Sequence, residues 1–470
     1  MTQPNGLRAI PTEDRAWLIA ALQDALAGGA PVFPLAPDTS PEVVLALQHT
    51  PLPEGTALVV RTSGSSGIPK AVALSAAALR ASANATHEAF GGPGQWLVPL
   101  PSNLISGIQP LIRSAIAEQE PVFVDGAFDP ARLLAAAELM TAERRFVSLV
   151  PVQLSRLLDH AAADPEAAAI LQRFDAVLVG GQAITVALRQ CCHELGVALK
   201  RSYGMTETAG GCVYDGVEIG DTLVRIRAGE VQLAGSALAL GYVGDPELTA
   251  DRFITETDSA GTETRWYRTG DAGELLGGML TVTGRIDRVL ISGGINVSLD
   301  EVERVVREQP GWASAVALAA PHPEWGERVT LVLETSDQAQ IDAGADAAPA
   351  SFERVREEVR ARLGVAALPE WVTETPEIPR LAGGKPDLIA LGEWLGRLRD
   401  SFRETRRAPK HAAPGAGADV TDAVGTADTT NAVGTADAVE VADAIEATDA
   451  VGVPGHTGDQ AHRAAGEEQA

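Results

Sequence analysis

Between residue 31 and about residue 285, short apolar runs alternate with longer Ala/Leu-rich stretches, and this alternation limits the fold more than any other feature. The runs at 121–124, 146–150, 176–179 and 197–200 have the length of buried strands, and 130–140 and 152–160 read as helices between them. Strand, helix and strand in succession bury their apolar faces when helices stack on a largely parallel sheet, so the pattern predicts an α/β domain. Upstream, Thr12 is placed to cap a helix over 13–26 that Gly28 and Gly29 end, and 31–35 reads as a strand. Residues 221–283 change character, with short antiparallel strands predicted at 224–227, 230–233 and 278–283, a small β-subdomain.

A second, smaller domain is predicted from near Asp287, with a helix at 299–308, strands at 313–319 and 329–334, and an amphipathic helix at 351–363. This α+β pattern ends near Asp400, which divides the ordered chain into 1–285 and 286–400. After Arg407 the composition becomes Ala, Asp, Gly, Thr and Val, with no aromatic residue through Ala470. Such a segment has too little apolar surface to offset chain entropy, so 405–470 reads as a disordered acidic tail.

The formal net charge of −26 argues against nucleic acid or an anionic membrane as partner, because both repel an acidic chain. The three cysteines, Cys191, Cys192 and Cys212, lack zinc-site spacing and fit a reducing compartment. No apolar run reaches membrane-spanning length and the N-terminus lacks signal-peptide regions, which predicts a cytoplasmic protein. The oligomeric state is left open, a homodimer among the options.

Five segments carry chemistry. The first is Thr62-Ser63-Gly64-Ser65-Ser66-Gly67-Ile68-Pro69-Lys70, which follows an apolar run at 57–60. Glycines admit close approach of oxygens, hydroxyls and N–H groups donate, and Lys70 supplies charge, a combination suited to a polyphosphate. The second, Gly180-Gly181-Gln182, ends a strand and lets a flat ligand approach. The third is Tyr203-Gly204-Met205-Thr206-Glu207, where an aromatic ring, a hydroxyl and a carboxylate could stack on a base, bond a phosphate and hold Mg²⁺. The fourth pairs Asp271, an acid suited to ribose hydroxyls, with Arg285 for phosphate. The fifth places Lys385 on a loop with Gly383 and Gly384. Each alone reads as a solvated turn or an ordinary loop. Their joint occurrence argues for a nucleotide site.

In order and separation these segments resemble the adenylate-forming superfamily of acyl-CoA synthetases, peptide-synthetase adenylation domains and luciferases. The resemblance spans about 50–390 and includes Gly293-Gly294 and the stretch from His322 to Arg328. It implies a mobile second domain and the substrates ATP, with Mg²⁺, and CoA. By resemblance, the loop of Thr62, Ser63, Gly64, Ser65, Ser66, Gly67 and Lys70 holds the β- and γ-phosphates. Gly181, Gln182 and Tyr203 frame the adenine, Thr206 contacts phosphate, and Glu207 binds Mg²⁺. Asp271 takes the ribose, Arg285 reaches ribose or phosphate, and Asp287 is the hinge. Lys385 bridges the substrate carboxylate and α-phosphate, and the loop of Gly293 and Gly294 faces the pantetheine in the second step.

The part before the phosphate loop is short, about sixty residues, and resembles that of actinobacterial 2-succinylbenzoate–CoA ligases of menaquinone biosynthesis. So do Val150-Pro151-Val152-Gln153-Leu154 and the run from Ser202 to Gly216. One departure stands out: Asn103-Leu104 occupies the place where those ligases carry histidine. Arg113 and Arg201 are candidates by position for the substrate carboxylates, weighed against surface or structural roles. The alternative substrates are other aromatic or aliphatic acids. An amino-acid adenylation enzyme would often be followed by a carrier domain, which the tail does not resemble. A catalytically dead relative would have lost Lys385, Asp271 or Glu207.

Overall fold

The computed structural model describes residues 5–62, 70–335, 349–381 and 384–407. Its centre is a seven-stranded sheet ordered Val217–Glu218, Gly210–Tyr214, Leu199–Met205, Ala176–Val179, Arg145–Leu149, Gln95–Val98 and Val122–Phe123. The last five of these strands run parallel, as the alternation predicted. Helices Ala76–Ala89 and Ile105–Ala117 belong with one core, built on Trp96, Phe146, Ile108 and Leu79. Helices Pro130–Glu138 and Pro151–Ala163 belong with another, built on Val147, Val177, Leu133 and Leu157. Alternate residues of one strand, Phe146 and Val147, thus feed opposite layers, as a period of two requires.

A second sheet joins Arg8–Pro11, Val32–Leu35, Thr56–Thr62, Lys70–Ser75 and Gly241–Tyr242. The strand at Arg8–Pro11 was not anticipated. It also moves the first helix start: Thr12 donates its hydroxyl to the Leu35 carbonyl, so Asp14 caps Arg15–Leu26 by accepting from the Trp17 N–H. The predicted β-subdomain is a five-stranded antiparallel sheet of Leu223–Arg227, Glu230–Ala234, Phe253–Thr257, Glu263–Leu276 and Met279–Arg285.

The fourth sheet holds the hairpin Val289–Ser292 and Ile295–Ser298 with Val316–His322, Gly326–Glu334 and Pro369–Thr375. Helices Leu299–Arg307 and Phe352–Leu363 complete its core through Val302, Val306, Val355 and Val359. Strand Val316–His322 lies a few residues past the predicted 313–319, because the Ala315 N–H turns back to the Trp312 carbonyl. The last described helix, Leu388–Arg407, runs past the Asp400 limit read from composition. Residues 408–470 of the expected tail lie outside the described residues. Among the described residues no helix is long and apolar enough to cross a membrane.

Candidate active site

Strands Thr56–Thr62 and Lys70–Ser75 pair antiparallel with Thr62 opposite Lys70, so both stand where the phosphate-type loop leaves the sheet. Ser63, Gly64, Ser65, Ser66 and Gly67 lie outside the described residues. The Lys70 Nζ lies 5.8 Å from the centre of the Tyr242 ring.

At the carboxyl ends of the parallel strands stand two of the predicted segments. Gly181 follows strand Ala176–Val179 with φ +85°, a left-handed conformation that side chains disfavour. Gln182 is half-buried next to it. Strand Leu199–Met205 ends in a single tight turn, Thr206–Thr208, with Thr206 and Glu207 buried. The turn is locked locally: the Thr208 hydroxyl accepts from the Met205 N–H at 3.0 Å and donates to the Gly210 carbonyl at 2.7 Å. Glu207 is held by a distant segment, its carbonyl accepting from the Ala239 N–H at 2.8 Å and its Oε1 from the Tyr242 hydroxyl at 2.8 Å.

Asp271 comes from the β-subdomain and faces the same place. The Tyr203 hydroxyl donates to its Oδ2 at 2.7 Å, and the Arg285 Nη1 lies 3.1 Å from its Oδ1. Burial pushes the Asp271 carboxyl above its ordinary range, against the pull of the Tyr203 hydroxyl, Arg285 and Lys385. Arg285 also forks onto Asp287, Nε to Oδ1 and Nη2 to Oδ2, both at 3.0 Å. That fork and Asp271 raise the Arg285 pKa further. The Arg285 N–H donates to Asp300, which Arg288 clamps together with Glu303.

Lys385 enters from the last loop. Its Cε lies 3.8 Å from where a Cβ on Gly181 would stand, and Gly384 rests against Val150 at 3.7 Å by the same measure. Lys385 keeps solvent-exposed surface, yet the protein crowds it enough to lower its pKa, with Asp271 and Glu207 partly offsetting this. Both acids and the lysine therefore share one electrostatic site with Arg285. Gly293 and Gly294 form the tip of the hairpin at φ +57° and +84°, with Trp325 close over Gly293. Both glycines are exposed.

The two candidate arginines separate. Arg201 is half-exposed and already taken by Asp215, Nε to Oδ1 at 3.0 Å. Arg113 is no surface residue: it is 2% exposed, and among the described residues it forms no ion pair. Its guanidinium lies 4.8 Å from the Trp96 ring centre, and Nη2 lies 3.5 Å from the Tyr214 hydroxyl. Leu104 stands at the start of helix Ile105–Ala117 without a side-chain cap, and Asn103 is half-buried before it. Tyr242 was missed by sequence reasoning. Its signal was weak, a Gly-Tyr pair ahead of Asp245-Pro246, which reads as an ordinary turn into a helix.

Among the described residues no group of three His, Cys, Asp or Glu side chains could hold a metal alone. Glu207 fits a magnesium ion of another kind. It is a buried carboxylate with no ion-pair partner among the described residues, and Mg²⁺ takes one or two carboxylates plus phosphate and water oxygens. All three cysteines are free.

By its likeness over most of both chains to a ligase of that class, the chain is an adenylate-forming acid–thiol ligase. The chain belongs to the AMP-binding enzyme family, whose model matches residues 13–242. It is 36% identical over 383 residues to a probable 2-succinylbenzoate–CoA ligase of Mycobacterium tuberculosis, covering 80% of this chain and 94% of that one. It is 32% identical to the 2-succinylbenzoate–CoA ligase of Escherichia coli, covering 72% of this chain and 68% of that one. Among solved structures, wild-type E. coli MenE with a phenylether-linked analogue of OSB-AMS matches at TM-score 0.60 and 26% identity, with 84% of this chain and 89% of that chain covered. The amide bond synthetase McbA of Marinactinospora thermotolerans matches at TM-score 0.61 and 27% identity, with 83% and 80% covered.

Proposed function

We propose that the protein ligates 2-succinylbenzoate to CoA through an acyl-adenylate, releasing AMP and pyrophosphate. The single observation that carries the adenylation chemistry is Lys385 next to Gly181 in the field of Asp271 and Glu207. The substrate follows from the likeness to 2-succinylbenzoate–CoA ligases over most of both chains.

In the first step a carboxylate oxygen of the acid forms a bond to the α-phosphorus of ATP as the bond to pyrophosphate breaks. Two anions meet there, so the barrier falls when cations offset the charge gathering at phosphorus and hold both partners in line. Lys385 supplies one such charge, and Lys70 stands by the departing phosphates. Tyr203 stacks on the adenine next to Gly181 and Gln182, and Thr206 bonds a phosphate oxygen. Asp271 holds the ribose hydroxyls: Tyr203 and Arg285 each use one of its oxygens, and a carboxylate has further lone pairs to give. Glu207 holds the Mg²⁺, which supplies further positive charge to the phosphates when bound. In the second step the CoA sulfur bonds the acyl carbon, the bond to AMP breaks, and the thiol proton leaves to solvent. Lys385 has no task there. The chain turns at Asp287, at the start of the domain 286–400, and the Gly293–Gly294 tip takes its place.

The test is product analysis with 2-succinylbenzoate, benzoates, fatty acids and amino acids, each with ATP, Mg²⁺ and CoA. Succinylbenzoyl-CoA, AMP and pyrophosphate are expected, and ADP with phosphate would contradict the reading. Amide formation when an amine replaces CoA at an equal rate would favour the second reading, suggested by the likeness to an amide bond synthetase.

A further inference from the structure

Tyr242 lies on the two-residue strand Gly241–Tyr242, at the edge of the sheet that carries Lys70. Its position is fixed from several sides. Tyr242 pairs with Val72, two residues beyond Lys70, and its N–H donates to the Thr249 hydroxyl at 2.9 Å. A Cβ on Gly241 would come 2.5 Å from Thr249 Cγ2, so a larger residue there would push the strand off this seat. The ring is 5% exposed and packs against Phe253 at 6.0 Å between centres.

From that seat the side chain works in two directions. Its hydroxyl donates to Glu207 Oε1 at 2.8 Å, while its ring lies 5.8 Å from the Lys70 Nζ. Three residues earlier, the Ala239 N–H holds the Glu207 carbonyl. One short segment thus grips Glu207 by both backbone and side chain. Glu207 and Lys70 carry opposite charges, and a single ring spaces them.

We infer that Tyr242 is a positioning residue that fixes the Glu207 carboxylate for its metal ion and sets its spacing from Lys70. The inference rests on the reading of Glu207 as the metal ligand. A hydroxyl donated to one oxygen fixes the carboxylate rotamer and leaves the other oxygen free for the ion. Outer partners of this kind typically change metal affinity by about 10- to 100-fold when removed. The ring-to-lysine contact survives in phenylalanine, so the hydroxyl can be tested by itself.

The experiment measures ATP affinity by calorimetry twice on each protein, with Mg²⁺ and with EDTA, in the absence of acid substrate. The ratio of the two affinities is the gain due to metal. Tyr242→Phe is expected to reduce this gain about tenfold, with metal-free ATP affinity and melting temperature near wild type. Glu207→Gln is expected to abolish the gain, and adding Tyr242→Phe to it should change nothing more. A full gain in Tyr242→Phe overturns the inference and leaves Glu207 as ligand. Loss of metal-free binding or of folding in Tyr242→Phe also overturns it, because the hydroxyl would then be structural. A gain that persists in Glu207→Gln overturns both the inference and the reading of Glu207.

Discussion

Lys385 reaches the field of Asp271 from a loop more than a hundred residues further along the chain, and its Cε stands beside Gly181, 3.8 Å from where a Cβ would be. Three separate parts of the sequence meet there: a strand end of the central sheet, the β-subdomain and the last loop. A buried acid, an arginine and a lysine at one place make a site whose charges depend on each other. That dependence gives the predictions their signs.

Crowding lowers the Lys385 pKa below its ordinary value. The lysine acts while protonated, so kcat/KM for ATP, which reports the free enzyme, should fall on the alkaline side at a pH below the usual lysine range. Lys385→Arg holds its charge throughout, and its remaining activity should lack that alkaline limb. An unchanged limb in Lys385→Arg would assign it to another group. The profile is read by ATP–pyrophosphate exchange.

Tyr203→Phe removes one hydrogen bond from Asp271. Bonds to charged groups contribute about 1.5–3 kcal/mol, so ATP binding should weaken roughly tenfold or more. Losing that donor also raises the Asp271 pKa further, since the hydroxyl favours the charged carboxylate. The defect should therefore be larger at pH 5.5 than at pH 8. Calorimetric ATP titrations at both pH values check this, and a defect independent of pH would contradict it.

Much of this site is legible in the sequence because its pieces are short and their chemistry is local. A glycine at a strand end, such as Gly181, or a hydroxyl next to a carboxylate, as in Thr206-Glu207, is visible in the sequence and gains meaning from the other segments in the same order. Tyr242 does not, because its role comes from an edge pairing with Val72 across most of the domain. The fate of Arg113 was equally hidden. The sequence places Arg113 only by position, but residues 107 to 114 of its helix Ile105–Ala117 are all buried, since both the central sheet and neighbouring helices cover it. Asp14 displaced Thr12 as a cap for a similar reason: Thr12 directly follows the strand Arg8–Pro11, and its hydroxyl donates to the Leu35 carbonyl on the neighbouring strand Val32–Leu35.

His87 and Arg113 give a prediction about acid stability. Burial, and then the Arg113 charge, push the His87 pKa down from 6.5 to about 4. Between those values the unfolded chain binds a proton that the folded chain refuses, so stability is full above pH 6.5 and falls as pH drops toward 4. Linkage sets the loss on the order of 3 kcal/mol at most. His87→Leu should lose less stability between pH 7 and pH 4.5 than wild type, measured by urea unfolding. An equal loss would place the acid sensitivity elsewhere.

Arg113→Met removes a buried cation that has no acid partner among the described residues. Replacing such a group by an apolar one of similar size is often neutral or stabilising, so stability at pH 7.5 should hold or rise. The His87 pKa should rise as well, because Arg113 depresses it. NMR titration of His87 and urea unfolding check the two effects. A loss above about 3 kcal/mol, the cost of breaking a buried pair, would show that the arginine has an anionic partner.

The most direct test of adenylation by Lys385 is to measure both half-reactions in two variants. Lys385→Ala should lower ATP–pyrophosphate exchange by about 10²- to 10³-fold, the usual effect of losing one charge at a water-poor transition state. It should leave thioester formation from preformed acyl-adenylate near wild type. Gly294→Trp, at the exposed hairpin tip, should do the reverse. Equal loss of both steps in each variant would contradict the account, and would leave Lys385 as a general binding or structural residue.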